Sequence, residues 1–183
     1  MQEISLNILD VAQNSVSAGA GLIEIGVEED HSADRLTVVI RDNGCGMTPE
    51  QVKKVTDPFY TTRTTRKVGL GVPLFKMAAE MTGGSFSIAS QPGVGTTVTA
   101  VFVPSHVDCM PMGDITSTVC SLIQCNPDRD FCYTYSCDGR GFAADTRQFR
   151  QVLEGVPLNA PEVITFISEF ITENTSEVQA PHT

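Results

Sequence analysis

Hydrophobic and polar positions along the first hundred residues follow two periods, one typical of helices and one typical of strands. Residues 4–18 carry apolar side chains at helical spacing around most of the surface, and Gly19 and Gly21 predict where that helix ends. Thr48 followed by Pro49 predicts the start of a short second helix, because this pair is typical of a helix N-terminus. Alternating and β-branched segments predict four strands, over residues 22–27, 36–40, 85–90 and 96–103.

With a further helix over residues 68–81, these elements predict an α+β fold for residues 1–104, a two-layer sandwich with helices on one face of a mixed sheet. We interpret residues 105–175 as a small α+β C-terminal subdomain, docked on the first domain or offered to a partner. Residues 176–183 are expected to be a frayed tail. The C-terminal subdomain has four predicted parts, a helix over 113–124, a hairpin over 130–144 and helices over 145–153 and 161–173.

Composition and charge restrict the possible functions. A chain of 183 residues with 41% hydrophobic residues can bury a sizeable core. Its formal net charge of −10 argues against nucleic acid as the main partner. No apolar run reaches the roughly 20 residues that a membrane span needs, and the N-terminus lacks the pattern of a signal peptide. We therefore expect a cytoplasmic protein with neither a membrane nor a nucleic-acid partner.

A glycine-containing turn follows the second predicted strand, in the segment Arg41-Asp-Asn-Gly-Cys-Gly-Met47. It places the Asp42 carboxylate at the strand end, where a hydrogen bond to an amino group would discriminate well between ligands. Gly44 and Gly46 remove two side chains, so that another molecule can approach the main chain closely. The alternative interpretation is an ordinary tight turn after a strand.

Two polar residues on the first helix, Asp10 and Asn14, lie four positions apart and therefore on one face. Burying both is costly without a partner, and a bound metal ion or water would satisfy them. An exposed polar stripe is the alternative. His31, in the polar loop between the first two strands, is more simply a solvated loop residue than a ligand.

Cationic and glycine residues come together before the helix over 68–81. The cations Arg63, Arg66 and Lys67 fall within five residues of an otherwise polar segment that predicts a loop. Facing an anion, they would supply charge-assisted hydrogen bonds. Gly69, Leu70 and Gly71 follow directly, and glycines before a helix N-terminus leave backbone N–H groups free for phosphate.

In combination, these segments resemble the GHKL ATPase superfamily, which includes gyrase B, the large heat-shock chaperone, histidine kinases and MutL-type mismatch-repair proteins. Asp10 to Ala20 resembles the N box of that superfamily, and Asp42 to Met47 its first glycine box. The remaining matches are Asp57-Pro-Phe59 to the phenylalanine box, Gly69-Leu-Gly71 to the second glycine box, and Gly95-Thr-Thr97 to the strand that closes the adenine pocket. The fold implied for residues 4–104 is the Bergerat-type ATP-binding fold.

The resemblance implies ATP and Mg²⁺ as cofactors and gives roles to individual residues. Asp42 would accept a hydrogen bond from the adenine amino group, with Thr97 assisting through a water, and Asn14 would coordinate Mg²⁺. Arg63, Arg66 and Lys67 would lie in the lid over the nucleotide. The remaining implied contacts to the nucleotide come from the two glycine boxes, at Gly44, Gly46, Met47, Gly69, Leu70 and Gly71.

One position departs from the family pattern. Asp10 stands where the ATP-hydrolysing branches carry Glu as the water-activating base and where histidine kinases often carry Asn. Asp can accept a proton but is one methylene shorter. The expected function is therefore Mg²⁺-dependent ATP binding with slow hydrolysis or phosphoryl transfer to a protein partner, with Asp10 as the catalytic candidate. The alternative is a non-catalytic, ATP-gated regulatory binding module.

Cysteine spacing gives little support to a zinc-ribbon site. Cys45 lies in the glycine turn, and the other cysteines are separated too widely for the close pairs of such a site. We expect most of them to be small buried residues of a reduced protein. A metal or iron–sulfur site and a redox-sensing role are the alternatives. The five cysteines of the C-terminal part are Cys109, Cys120, Cys125, Cys132 and Cys137.

Overall fold

The computed structural model describes residues 3–61 and 71–181. The helices are α1 (Ile4–Ser17), α2 (Pro49–Thr56), α3 (Pro58–Thr61), α4 (Gly71–Met81), α5 (Ile115–Cys125), α6 (Thr146–Leu153) and α7 (Pro161–Gln179). The strands are β1 (Leu22–Asp30), β2 (Arg35–Asp42), β3 (Ser85–Gln91), β4 (Gly95–Phe102), β5 (Asp130–Cys137) and β6 (Arg140–Asp145).

The strands form one sheet of six in the order β3-β4-β2-β1-β5-β6. β1 and β5 run parallel, whereas every other neighbouring pair is antiparallel. Helices α1, α4, α5 and α7 contact the strands and bury one side of the sheet. The predicted α+β fold, a mixed sheet with helices on one face, is confirmed.

The core follows from the strict alternation of side chains along the strands. Ile23 and Ile25 of β1 lie opposite Phe131 and Tyr133 of β5, and all four side chains are at most 2% exposed. The intervening positions carry polar or small residues such as Glu24, which belong to the opposite face. Because the period is two, this register buries the apolar set of both strands against the same helices.

Residues after 104 contribute to the same sheet and the same core as those before it. The first backbone N–H groups of α1 need partners outside the helix. Ile4 N–H donates to the carbonyl of Pro111 at 3.0 Å, and Ser5 N–H donates to that of Met112 at 2.8 Å. Beyond the other end of α1, Asp130 N–H donates to the carbonyl of Gly21 at 2.8 Å. The C-terminal part therefore fixes α1 at both ends.

The end of the chain differs from its prediction. A frayed tail was expected over residues 176–183, but α7 continues to Gln179. The Arg140 guanidinium donates hydrogen bonds to the carbonyl oxygens of Glu177 at 2.9 Å and of Ala180 at 3.0 Å. The Glu177 carbonyl also accepts from the Ala180 N–H at 3.3 Å, so the guanidinium is a second donor there and connects the end of α7 to β6. The prediction is wrong for residues 176–179. Arg140, which holds this end of the helix, lies on a strand that is distant in sequence, so the local pattern does not reveal it.

Candidate functional site

A cavity of about 310 Å³ lies between the C-terminal half of α1, the end of β2, the start of α4 and strands β3 and β4. This volume is at the lower end of the range for small-molecule sites. Its walls are largely apolar, with Val11, Ala18, Met47, Val55, Val72, Ile88 and Val98, and its polar side chains are Asn14, Ser15, Asp42 and Thr96. The sequence-predicted residues that meet here are Asn14, Asp42, Gly46 and Met47.

Asp42 is held in a fixed orientation at the cavity wall. It is the last residue of β2 and is 9% exposed. The Ser15 hydroxyl donates to its Oδ2 at 2.6 Å, and the Gly44 backbone N–H donates to its Oδ1 at 2.9 Å. Each carboxylate oxygen thus has one protein donor and retains a lone pair for a donor on a ligand. Ser15 was not predicted from the sequence. The signal that could have found it is its position four residues after the apolar Val11, which places a polar side chain on the buried face of the helix.

Ser15→Ala is expected to lower the free energy of unfolding by about 1.5–3 kcal/mol, the usual value of a hydrogen bond to a charged group. It should also weaken nucleotide binding, because Asp42 loses the donor that orients it. Denaturant unfolding and titration calorimetry measure the two effects. Ser17→Ala is the matched control, since Ser17 is exposed on the same helix. Equal stability and nucleotide affinity in the two variants would contradict the positioning role of Ser15.

The glycines of the turn fit against the protein itself. A Cβ on Gly44 would lie 2.8 Å from the Cβ of Ala18, at the end of α1. Gly46 has φ +70°, and a Cβ there would lie 2.0 Å from the carbonyl oxygen of Gln91. These glycines were expected to let another molecule approach. The structure shows such an approach by α1 and by the β3–β4 turn. Gly46 also lines the cavity, Gly44 donates to Asp42, and a contact of either glycine with a nucleotide stays a prediction.

The threonine that faces the cavity is Thr96 and not the predicted Thr97. Thr96 pairs with Asp42 across β2 and β4 and lines the cavity, whereas the predicted Thr97 pairs with Arg41. Thr97 is not among the described residues that line the cavity; it lines a neighbouring depression at the strand ends, which Asp42 and Thr96 also border. Because successive side chains point to opposite faces, a shift of one residue moves the side chain out of the site. Thr96 and the buried Val98 are two positions apart and therefore lie on the same face of the strand. This spacing would have identified Thr96 from the sequence.

A serine missed in the sequence links this threonine to the glycine turn. The Oγ atoms of Ser90 and Thr96 are 2.7 Å apart, and the Met47 N–H donates to the Ser90 Oγ at 2.8 Å. The Ser90 hydroxyl also lies 3.1 Å from the carbonyl oxygen of Gly95. This network fixes the glycine turn against β3 and β4 and thereby sets the position of Met47 at the cavity.

Asn14 carries an unpaired polar atom at the edge of the cavity. Its Oδ1 is buried and has no hydrogen-bond partner in the part of the chain that the structure describes. A buried amide oxygen without a partner is costly, so such an atom points to a ligand. A carbonyl-type oxygen is a hard donor that suits Mg²⁺. Asn14 Oδ1 is therefore a suitable ligand atom for the Mg²⁺ that the sequence predicts.

Asp10 lies beside the start of α4. A Cβ built on Gly71, the first residue of that helix, would lie 3.1 Å from the Cβ of Asp10. Asp10 is exposed and is not among the described residues that line the cavity. Burial of the carboxyl group nevertheless raises its pKa above the usual value. Asp10 is thus one helical turn from Asn14, next to the α4 N-terminus, where the dipole attracts anions.

The remaining predicted contacts fall largely outside the described residues. They are Arg63, Arg66, Lys67, Gly69 and Leu70. Gly71 is described, and it is buried at the start of α4. The predicted phosphate contacts of the second glycine box and of the lid therefore stay predictions.

Residues 1–107 match the family model of histidine kinase-, DNA gyrase B- and HSP90-like ATPases. The chain belongs to this ATPase family. The match spans more than half of the 183 residues and covers α1 to β4, which include every wall of the cavity.

Among curated relatives in this ATPase family, the chain is 36% identical over 101 residues to the signal transduction histidine-protein kinase AtoS of Escherichia coli, across 55% of this chain and 16% of AtoS. It is 38% identical over 102 residues to the sensor protein SrrB of Staphylococcus aureus, across 53% of this chain and 17% of SrrB. The chain thus spans about a sixth of the length of these relatives.

Two solved structures have a fold similar to that of this chain. The ATPase domain of MutL from Aquifex aeolicus, solved with ADP, superimposes with a TM-score of 0.51 at 14% identity, covering 100% of both chains. The N-terminal domain of a DNA repair protein gives a TM-score of 0.54 at 14% identity, over 78% of this chain and 51% of the other. None of the helices in the described part of the chain has the length and apolar composition of a membrane span.

Proposed function

We propose that this member of the ATPase family binds Mg²⁺–ATP in the cavity beside Asp42 and slowly hydrolyses it or transfers its phosphoryl group to a protein partner. The observation that carries the proposal is the orientation of Asp42 by Ser15 and Gly44 at the wall of an otherwise apolar cavity. A cytoplasmic location and a protein partner are part of the same proposal.

Adenine fits this cavity by both shape and hydrogen bonding. Val11, Val72 and Val98 offer apolar surface to a flat base. Asp42 then accepts a hydrogen bond from the exocyclic amino group of adenine. Guanine presents a carbonyl oxygen at the corresponding position, and two acceptors facing each other in a buried site are unfavourable. The site therefore selects adenine over guanine.

The phosphate end of the nucleotide is assigned to the side of Asn14 and the start of α4. Asn14 Oδ1 would hold the Mg²⁺, whose charge offsets that of the phosphate oxygens. α4 begins at Gly71 in the same region, and the backbone N–H groups and dipole of a helix N-terminus attract phosphate. Asp10 lies between these two features and is the proposed base for an attacking water or for the hydroxyl or imidazole of a partner.

The choice between transfer and hydrolysis rests on the relatives. AtoS is a signal transduction histidine-protein kinase, and this relative favours a protein as the phosphoryl acceptor. A second candidate is a non-catalytic, ATP-gated binding module. It is favoured by the exposure of Asp10 and by its position outside the cavity lining among the described residues.

Asp42→Asn is expected to weaken ATP binding at least about tenfold, or about 1.4 kcal/mol, because one acceptor oxygen becomes a donor that faces the adenine amino group. Titration calorimetry with ATP, ADP and GTP in the presence of Mg²⁺ measures the change. Asp128→Asn serves as the matched control, since Asp128 is exposed and distant in sequence from the cavity. Binding of GTP to the wild-type chain as tightly as ATP would refute the proposed role of Asp42.

A further inference from the structure

A second group of chemically reactive side chains lies at the end of the sheet opposite the nucleotide cavity. β1 and β5 are parallel, so that Glu29 pairs with Cys137 and the hairpin turns after β1 and β5 come together. β2 begins at Arg35, beside these turns, and ends at Asp42. At the rise of an extended strand, the two ends are about 23 Å apart. This group is therefore separate from the nucleotide site.

Three donor atoms of different chemistry converge at these turns. His31 Nδ1 lies 2.7 Å from Asp138 Oδ2 and 3.8 Å from Cys137 Sγ. Cys137 Sγ lies 3.9 Å from Asp138 Oδ2. Glu29 adds a carboxylate, since one ligand atom each from Glu29, His31 and Cys137 lie within 4.8 Å of one another.

We propose that these residues bind a divalent transition-metal ion of the zinc type, with Cys137, His31 and Asp138 as ligands and Glu29 as a fourth. Bond lengths of about 2.3 Å to sulfur and 2.0–2.2 Å to nitrogen or oxygen place tetrahedral ligand atoms about 3.3–3.6 Å apart. The observed separations of 2.7, 3.8 and 3.9 Å differ from these by well under 1 Å.

The donor set selects the class of metal. A thiolate and an imidazole beside a carboxylate are the ligands of Zn²⁺ and of Co²⁺, whereas Mg²⁺ and Ca²⁺ prefer oxygen ligands alone. Cys137 is 6% exposed, whereas the side chain of His31 is 70% exposed and that of Asp138 is 50% exposed. The metal would thus be bound from the protein interior and remain open to solvent on one side, where water or a further ligand can enter.

Hydrogen bonds from neighbouring backbone and side-chain groups already orient the ligands. The His31 backbone N–H donates to Asp138 Oδ1 at 2.8 Å, which directs Oδ2 toward the imidazole. The Asp138 N–H donates to the carbonyl of Glu29 at 2.9 Å, and the Tyr135 hydroxyl donates to Glu29 Oε2 at 3.0 Å. Such outer contacts are typical of the groups that fix metal ligands in place. A metal here would join the β1–β2 hairpin to the β5–β6 hairpin.

The test is a titration of the untagged, reduced 183-residue chain with Co²⁺ alone, followed by displacement with Zn²⁺. One Co²⁺ per chain should produce a thiolate-to-cobalt charge-transfer band in the near ultraviolet. His31→Ala and Cys137→Ser should each weaken binding at least about tenfold. Cys132→Ser is the matched control, because Cys132 lies on the opposite face of the same strand, and it should retain the band. Mg²⁺ in excess should leave the signal unchanged.

His31→Ala keeps the test decisive even if the buried Cys137→Ser variant folds poorly, since His31 is an exposed turn residue. Zn²⁺ should raise the melting temperature of the wild-type and Cys132→Ser chains but not that of His31→Ala. A wild-type chain without the charge-transfer band, a wild-type affinity for Co²⁺ in His31→Ala, a thiolate band that survives in Cys137→Ser, or displacement of Co²⁺ by Mg²⁺ would each overturn the proposal. The His31–Asp138 contact would then serve only to tie the two hairpins together.

Discussion

Deleting residues 105–183 is expected to abolish cooperative folding of the remaining chain and, with it, nucleotide binding. The deletion removes β5, which pairs with eight consecutive residues of β1 from Leu22 to Glu29. It leaves the apolar side of β1 and a row of unpaired backbone groups exposed at a new sheet edge. It also removes the carbonyl partners of the first N–H groups of α1, the helix that carries Asn14 and Ser15.

The expected loss is comparable with the whole stability of a domain. The deleted part supplies at least five apolar side chains that are at most 2% exposed, among them Val119, Leu122, Ile123, Phe131 and Ile167. Burial of each such side chain contributes about 1.5–3 kcal/mol, so together they contribute about 7–15 kcal/mol. The net stability of a typical domain is about 5–15 kcal/mol. We therefore propose that the predicted boundary near residue 104 does not separate two independently folding units.

Denaturant unfolding followed by circular dichroism, together with ATP titration calorimetry, would measure the effect of the deletion. Arg140→Ala is the control within the C-terminal part. It removes the hydrogen bonds that close α7 but leaves β5 in the sheet, and we expect a loss of only about 1–3 kcal/mol. A truncated chain that unfolds cooperatively and binds ATP with wild-type affinity would show that residues 1–104 form an independent domain.

Asp10→Asn is expected to reduce phosphate release or transfer by about two to four orders of magnitude while leaving ATP affinity nearly unchanged. The reason is the position of Asp10 beside Gly71 at the start of α4, one turn from Asn14. The amide keeps the size of the side chain but cannot accept a proton. Single-turnover kinetics with labelled ATP and calorimetry separate the chemical step from binding.

The protonation of Asp10 provides an independent measurement. Burial raises its pKa above the ordinary value of 3.8, so the folded chain without nucleotide disfavours the ionised form. The resulting destabilisation is absent below pH 3.8, grows as the pH rises toward the raised pKa and is fully present above it. Asp10→Asn should therefore melt no lower than the wild type at pH 7. The acid limb of the pH–rate profile should disappear in the same variant.

Two further variants distinguish a base from a partner of the hydrated metal. Asp10→Glu restores the side-chain length found in the hydrolytic branches that the sequence resembles. Faster hydrolysis in this variant would show that the shorter side chain of Asp10 limits the wild-type rate. Glu80→Gln, on the exposed side of α4, is the matched control and should leave turnover unchanged. If Asp10→Asn instead weakened Mg²⁺–ATP binding and left the rate alone, Asp10 would act on the metal. Unchanged binding and turnover in both Asp10 variants would remove its catalytic role.

The sequence by itself determined the local elements and the family. The Thr48 hydroxyl oxygen accepts a hydrogen bond from the Gln51 N–H at 3.2 Å, and Gln51 Oε1 accepts one from the Thr48 N–H at 2.9 Å, as is typical of the predicted helix start. The Asp42 turn lies at a strand end because five β-branched or aliphatic residues precede it. These features depend on neighbours in the chain, and propensity and period report such neighbours well.

Only the tertiary structure decided which side chains meet. Ser15 reaches Asp42 across 27 residues, and Arg140 closes a helix that ends 39 residues later. The parallel pairing of β1 with β5 brings Glu29 next to Cys137. Each of these contacts depends on which strands become neighbours and in which register. Local pattern does not contain that information, because a strand with one apolar face can pair with several others equally well.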